Sequence, residues 1–215
     1  MAPRPRSVTD QDILTATYRA MARLGPVRFT LAEVAREAGL SAATLVQRFG
    51  SKRGLLLAAS ASVVDGVEAC FGTYRAQNRS PLAVLIASAT EMTRQTQSPE
   101  EMANHLAFLH IDVSDPDFRR HMLEMSRRIE AGYRTILDEA AAAGEIVPCD
   151  TARLARAIGA IVGGSIVGWA VFQTGTAEAW VMDDLEMLIG PYRAAGPRRT
   201  APRGRRRGLP GVRER

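Results

Sequence analysis

Between Phe29 and Phe49 the chain reads FTLAEVAREAGLSAATLVQRF, and this run brings its polar side chains onto one face of a short helix. With Ala42, Leu45 and Phe49 turned inward at steps of three and four, Ala43, Thr44, Val46, Gln47 and Arg48 are left outside. That outer face is narrow and carries no acid. A threonine hydroxyl and a glutamine amide can exchange hydrogen bonds with base edges in a major groove, while the positive helix N-terminus lies near phosphates. Lys52, the one lysine among 28 basic residues, stands at the start of the next helix, where its ammonium can hold a nucleic-acid backbone. The same spacing also suits a plain helical hairpin inside a larger bundle.

Other chemistries lack their residues. His105 and His110 are five apart and so fall on different sides of a helix, and no two of the three histidines stand three or four residues apart to make a metal pair. There is no GxSxG, phosphate loop, Cys/His pair or paired catalytic carboxylate, so no enzyme, cofactor or metal is expected. Cys70 and Cys149 have neither CxxC nor Cys/His spacing and read as ordinary thiols of a reducing compartment. The start, MAPRPRSVTDQD, has no apolar core for a signal peptide, which predicts a cytoplasmic protein.

The elements that must position the reading face are helices throughout, about nine of them, because no stretch alternates long enough to make a strand. Thr9 with Asp12 starts the first helix (about 10–24), which Gly25-Pro26 ends. Thr30 opens the second (31–38) with a capping box to Glu33, Phe29 and Val34 forming the hydrophobic staple. Gly39-Leu40-Ser41 is a turn short enough to force a steep crossing, glycine taking the left-handed backbone and Leu40 plugging the angle. Ser41 caps the third helix (42–49), and Ser51 a long fourth to about Gln77. Ser80-Pro81, Ser98-Pro99 and Asp115-Pro116 each place a cap before a first-turn proline. Gly144 ends the seventh helix, Asp150 caps the eighth, and a ninth runs from about 178 to 192.

Charge divides the 215 residues in three. Residues 1–56 carry nine basic and four acidic side chains, residues 57–192 ten and eighteen, and residues 193–215 nine and one. Basic ends around an acidic middle suit a polyanion that meets the ends. The last stretch, 194–215, has too few apolar residues to pack and reads as a disordered arginine-rich tail.

Taken in order, Ile13-Leu14-x-Ala16, Gly25, Phe29-Thr30, Val34-Ala35, Ala38-Gly39-Leu40-Ser41, Thr44-Leu45, Phe49, Ser51-Lys52 and Leu55 resemble the N-terminal signature of the TetR (tetracycline repressor) family, over about 47 residues without a gap. The resemblance implies a DNA-binding regulator, a repressor that holds a palindromic operator as a dimer and lets go when a small molecule binds. It implies a helix-turn-helix domain over 1–51 and a helical regulatory and dimerisation domain over 52–193. The family's DNA contacts fall here on Thr30, Ala43, Thr44, Val46, Gln47, Arg48 and Lys52. Val46 departs from the tyrosine usual at its position and can instead cover a thymine methyl, leaving Arg48 to take up a phosphate. The implied effector, apolar or aromatic, would sit in the helical body among Phe71, Met92, Met102, His105, Phe108, Phe118, Met122, Trp169 and Phe172, and the homodimer would form through helices 151–174 and 178–192.

One rival comes from the run AIGAIVGGSIVGWAVFQTGTA (157–177), uncharged and long enough to span a bilayer, with Gly159 and Gly163 and then Gly164 and Gly168 at GxxxG spacing. Its glycines, Ser165, Gln173 and threonines lower its hydropathy, and the same small residues let two helices pack closely in a protein core. A membrane-associated helical protein and a ligand carrier without DNA are the readings this leaves beside a DNA-binding regulator.

Overall fold

The computed structural model of the protein describes residues 8–94 and 96–194, apart from the side chain of Met92. Ten α-helices succeed one another there: α1 (Asp10–Arg28), α2 (Leu31–Ala38), α3 (Ala42–Phe49), α4 (Lys52–Gln77), α5 (Pro81–Ala89), α6 (Glu91–Arg94), α7 (Pro99–Ser114), α8 (Pro116–Ala142), α9 (Thr151–Phe172) and α10 (Ala177–Ile189), followed by a 3-10 turn, Gly190–Tyr192. Among the described residues the extended pairing is one isolated bridge, Ile146 with Arg193. The fold is all-α, as the periodicity predicts. The predicted tail beyond Ala194 lies outside the described residues.

Local chemistry places most boundaries. Thr9 accepts from the Asp12 amide and the Asp12 carboxylate accepts from the Thr9 amide at 2.9 Å, a complete capping box. Ser41, Ser51, Ser80, Ser98, Asp115, Asp150 and Thr176 each accept from a first-turn amide, and proline opens α5, α7 and α8. At Thr30 only half of the predicted box forms. The hydroxyl accepts from the Glu33 amide at 3.2 Å, but the carboxylate turns instead to Arg36 at 2.7 Å and towards Arg23 of α1 at 3.7 Å. Glu33 is thereby held below the usual glutamate range, chiefly by its hydrogen bond from Arg36.

The helical ladder of α1 breaks where Gly25-Pro26 predicts. Gly25 has φ 63° and ψ 172°, after which one tight turn leads through Arg28 to Phe29. The prediction of nine helices missed α6, a single turn set by threonines: the Thr90 hydroxyl donates to the Ile86 carbonyl and Thr93 to the Thr90 carbonyl at 2.6 Å.

Two hydrophobic clusters form the interior. The first gathers Ile13, Leu14, Ala16, Ala20, Phe29, Val34, Ala35 and Leu45 with Leu55, Leu56 and Ala59 of α4, Phe108 of α7 and Phe118 of α8. The second joins α4, α5, α7, α8, α9 and α10 around Leu85, Ile136, Leu137, Ile158, Ile166 and Leu185. The first holds the helix-turn-helix together and fastens it to the rest.

Candidate nucleic-acid interface

Three hydrophobic anchors set the geometry of α2 and α3. Val34, Ala35 and Leu45 are buried, and Ala38, Leu40, Ala42 and Phe49 pack partly buried against the same cluster. Gly39 sits at φ 69°, ψ 32°, and the Leu40 amide reaches back to the Ala35 carbonyl at 2.8 Å, a six-to-one closure that only a left-handed residue permits at no steric cost. Each anchor forces the opposite side of α3 outward.

On that outer side lie Ala43, Val46, Gln47 and Arg48, all exposed, with Thr44 half-buried at the first turn. The Thr44 hydroxyl shares a hydrogen bond with Ser41 Oγ at 2.9 Å, so the cap fixes its rotamer. Val46 is 46% exposed, a large apolar side chain presented to solvent beside Gln47. Arg48 is turned away from the rest. Its Nη1 donates to the Val8 carbonyl at 2.9 Å and lies 3.2 Å from Asp10 Oδ1, which ties the end of α3 to the start of α1.

Lys52 is half-buried. Its Nζ donates to the Pro26 carbonyl at 3.1 Å and lies 5.3 Å from the centre of the Phe29 ring. One of its three N–H bonds is thus used to close the turn between α1 and α2, and the ammonium is aimed by that bond. Thr30 is exposed, its oxygen accepting from Glu33, which leaves its own proton free to donate.

The sequence reading missed Arg53. One of its nitrogens reaches both oxygens of Asp115, at 2.9 and 3.0 Å, and Asp117 at 2.9 Å, with the guanidinium carbon 5.5 Å from the centre of the Phe118 ring. Both the Arg53 and the Asp115 shifts follow from this: the arginine is pushed up, first by its bond to Asp117, and Asp115 is pulled down, first by Arg53. The available signal was a second cation in the first turn of α4, where the helix dipole disfavours it, so that an acid partner was called for. Asn104 was missed too. Its Nδ2 donates to the Ala22 carbonyl at 2.7 Å, and Arg28 pairs with Glu100 at 3.0 Å, so α1 is seated on α7 by polar bonds as well as by the edge-on contact of Phe29 with Phe108 at 6.1 Å.

The candidate effector residues do not converge on one space. Phe108 and Phe118 belong to the first cluster, and Met102 and Trp169 to the second. Phe71 packs edge-on against Tyr133 with centroids 5.7 Å apart, and His105 shares a hydrogen bond with the buried Thr96 at 3.1 Å. Burial holds His105 below its ordinary value near 6.5, opposed by Glu101. Met122 is half-buried on α8, while the side chain of Met92 is outside the described part. Phe172 does not face the interior at all: it is 69% exposed and stacks on Trp180 at 5.5 Å, because α9 ends at once in a left-handed Gln173.

Helices α9 and α10 pack on each other through Val162, Ile166, Val181 and Leu185, with the Ser165 hydroxyl donating to Asp184 at 2.5 Å. The indole N–H of Trp180 closes their connection on the Thr174 carbonyl at 2.7 Å. Both α4 and α9 are long and apolar enough to cross a membrane by length and composition, but each contributes a full stripe to the interior clusters.

Residues 13–59 match the profile of bacterial regulatory proteins of the tetR family, and residues 81–190, half of the chain, match the C-terminal part of BetI-type transcriptional repressors. The HTH-type transcriptional regulator BetI of Agrobacterium fabrum is 29% identical over 187 residues, covering 84% of this chain and 87% of its own. In fold, a TetR transcription regulator from Haloarcula marismortui is similar with a TM-score of 0.69 over 86% of this chain and 97% of its own, at 16% identity. The regulator FadR of Bacillus subtilis, solved with stearoyl-CoA, gives 0.61 over 84% and 98%, also at 16%. The chain belongs to the tetR family of bacterial regulatory proteins: it is a DNA-binding transcriptional regulator with an N-terminal helix-turn-helix and a C-terminal half of the BetI type.

Proposed function

We propose that this regulator is a homodimeric cytoplasmic repressor that grips a palindromic operator and is released by a small apolar or aromatic effector. The observation that carries the reading is the outer face of α3, free of acid and held out by the buried Leu45 beneath it. In this reading residues 1–51 are the operator-binding domain and 52–193 the regulatory and dimerisation domain. Thr44 and Gln47 meet base edges with Ala43 and Val46 between them, Thr30 and Lys52 hold phosphates, and Arg48 contributes by fixing α3 to the start of α1. One helix of eight residues reads too few bases for specificity. Two copies set about 34 Å apart read successive major grooves, which makes the operator a palindrome.

Dimerisation through α9 and α10 is supported by what those helices leave uncovered. Val171, Phe172, Met182 and Met187 are exposed, and Gly159, Gly163 and Gly164 have no atom near the position of an added Cβ, so a partner backbone can approach them closely. An apolar effector is supported by the same fold holding stearoyl-CoA in FadR. A membrane reading has less behind it, since α4 and α9 serve the interior of a family of transcriptional regulators.

The test is duplex binding as a function of salt, with the oligomer followed by light scattering. A dimer whose affinity falls steeply with salt is expected, with Lys52→Ala lowering the slope of log affinity against log salt by about one phosphate contact per head. A monomer, or a salt-independent affinity untouched by Lys52→Ala and Thr44→Ala, would refute the reading. A compound that releases the complex must do so by binding the free head spacing better than the bound one.

A further inference from the structure

The outer face of α3 carries little charge. Of its side chains only Arg48 is charged, and Nη1 of that guanidinium is bound to the Val8 carbonyl and Asp10, which draws it towards the start of α1. The Thr44 hydroxyl is engaged by Ser41. What stands forward is a small apolar pair, Ala43 and Val46, with the amide of Gln47 beside them. Ala43 and Val46 are three residues apart, hence about 4.5 Å apart along the helix axis and on one side of it. Successive base pairs are about 3.4 Å apart along the groove, so the two methyl-bearing side chains match two neighbouring pairs.

From these residues we infer that Val46, assisted by Ala43, reads the C5-methyl groups of thymine, and that each half-site carries thymine at one or two adjacent positions next to an adenine read by Gln47. The inference rests on the operator-binding reading above. The chemistry is that of the major-groove edge. Thymine is the one ordinary base with a methyl group there, an isopropyl side chain covers it without a hydrogen bond, and a glutamine amide pairs with N6 and N7 of adenine. A tyrosine at position 46, as in the resembling family signature, would present a hydroxyl to phosphate instead. Valine cannot do so, having neither donor nor acceptor.

The experiment starts from a random duplex pool. The full-length dimer selects an operator, and each thymine of that operator is then replaced in turn by deoxyuridine, which removes the methyl group and nothing else. Affinity is measured at one fixed salt concentration. At the one or two positions facing Val46 the replacement weakens binding about four-fold in one half-site and about sixteen-fold in both, the worth of one buried methyl each. Val46→Ala weakens binding to the thymine operator to a similar degree and abolishes the deoxyuridine penalty, whereas Gln47→Ala relaxes selection at the neighbouring adenine and leaves the penalty in place. A selected operator whose deoxyuridine forms all bind as the parent does would overturn this inference alone, as would a penalty that persists undiminished in Val46→Ala. A pool from which no duplex is retained would overturn the operator-binding reading and this inference with it.

Discussion

Gly25→Ala is predicted to be among the more damaging single-methyl additions to the N-terminal cluster, and the cost can be worked from its surroundings. At φ 63° and ψ 172° the residue occupies a region that is essentially glycine's alone, where a side chain costs about 1–3 kcal/mol. A Cβ there would also collide with Asn104 Oδ1 and lie 3.0 Å from Asn104 Cγ. Because Asn104 Nδ2 is bonded to the Ala22 carbonyl, the amide cannot rotate away without losing that bond, a further cost of about 1 kcal/mol. The reduced freedom of the unfolded alanine chain returns about 0.4–1 kcal/mol. The net is a loss of about 1–3.5 kcal/mol. Gly39→Ala is the internal control. It has φ 69° and ψ 32°, with nothing within 4 Å of the new methyl, so only the left-handed penalty of about 1–2 kcal/mol applies, less the same return. Urea unfolding of the full-length protein followed by circular dichroism, at one protein concentration because a dimer's stability depends on it, measures both. Repeating Gly25→Ala in an Asn104→Ala background separates backbone strain from collision, and the penalty is expected to fall by about 1 kcal/mol. Equal costs for Gly25→Ala and Gly39→Ala, or a Gly25 penalty indifferent to Asn104, would refute the argument.

Three further outcomes follow from the same geometry. Asp115 both caps α8, accepting from the Asp117 amide at 2.9 Å, and binds Arg53, whereas Asp117 only pairs with arginines. Asp115→Ala is therefore expected to destabilise more than Asp117→Ala in urea titrations, and the difference to survive about 1 M salt, which screens the ion pairs but not the cap. His105 has its folded value held below 6.5, so the unfolded chain binds the proton more readily; stability declines as pH falls through 6.5 towards the folded value, and His105→Gln should flatten that part of a stability–pH curve. Gly132→Ala would drive its methyl into the ring of Phe71, which already packs on Tyr133, for a cost of about 1–3 kcal/mol that a smaller Phe71→Leu partner should relieve in thermal or chemical unfolding.

What could be read in advance was what is local. A serine before a proline, or a glycine after an apolar stripe, commits the backbone within four residues, so the boundaries of α2, α3, α4, α7 and α8 fall where the sequence places them. What could not be read depends on partners remote in the chain. Glu33 had the right spacing for a capping box and lost to Arg36 on its own helix and Arg23 on another. Arg48 faces outward by periodicity, yet its bonds run to Val8 and Asp10, some forty residues earlier. Phe108 and Phe118 are apolar stripe residues, and a stripe says that a side chain is buried without saying in which of two cores. For Phe172 even that failed, because it is the last residue of its helix and the ring folds onto Trp180 outside.

The sharing of Phe108 and Phe118 has a mechanical meaning. The first cluster takes Leu55, Leu56 and Ala59 from α4 and one phenylalanine each from α7 and α8, so its interior is closed only when the helix-turn-helix is seated on the rest of the chain. Burying two leucines and two phenylalanines is worth about 6–12 kcal/mol together, more than a core of some fifty residues ordinarily supplies by itself. The polar ties point the same way: Asn104 to Ala22 and Arg28 to Glu100 join the head to α7, and Arg53 to Asp115 joins the start of α4 to the connection between α7 and α8. Met102, on the same α7, is buried in the second cluster. Helix α7 is thus packed into both clusters, and α1, seated on it, is tied to the end of α3 through Asp10 and Arg48. Helices α4 and α8 likewise contribute to both clusters, so three helices, and not one, join the helix-turn-helix to the second cluster.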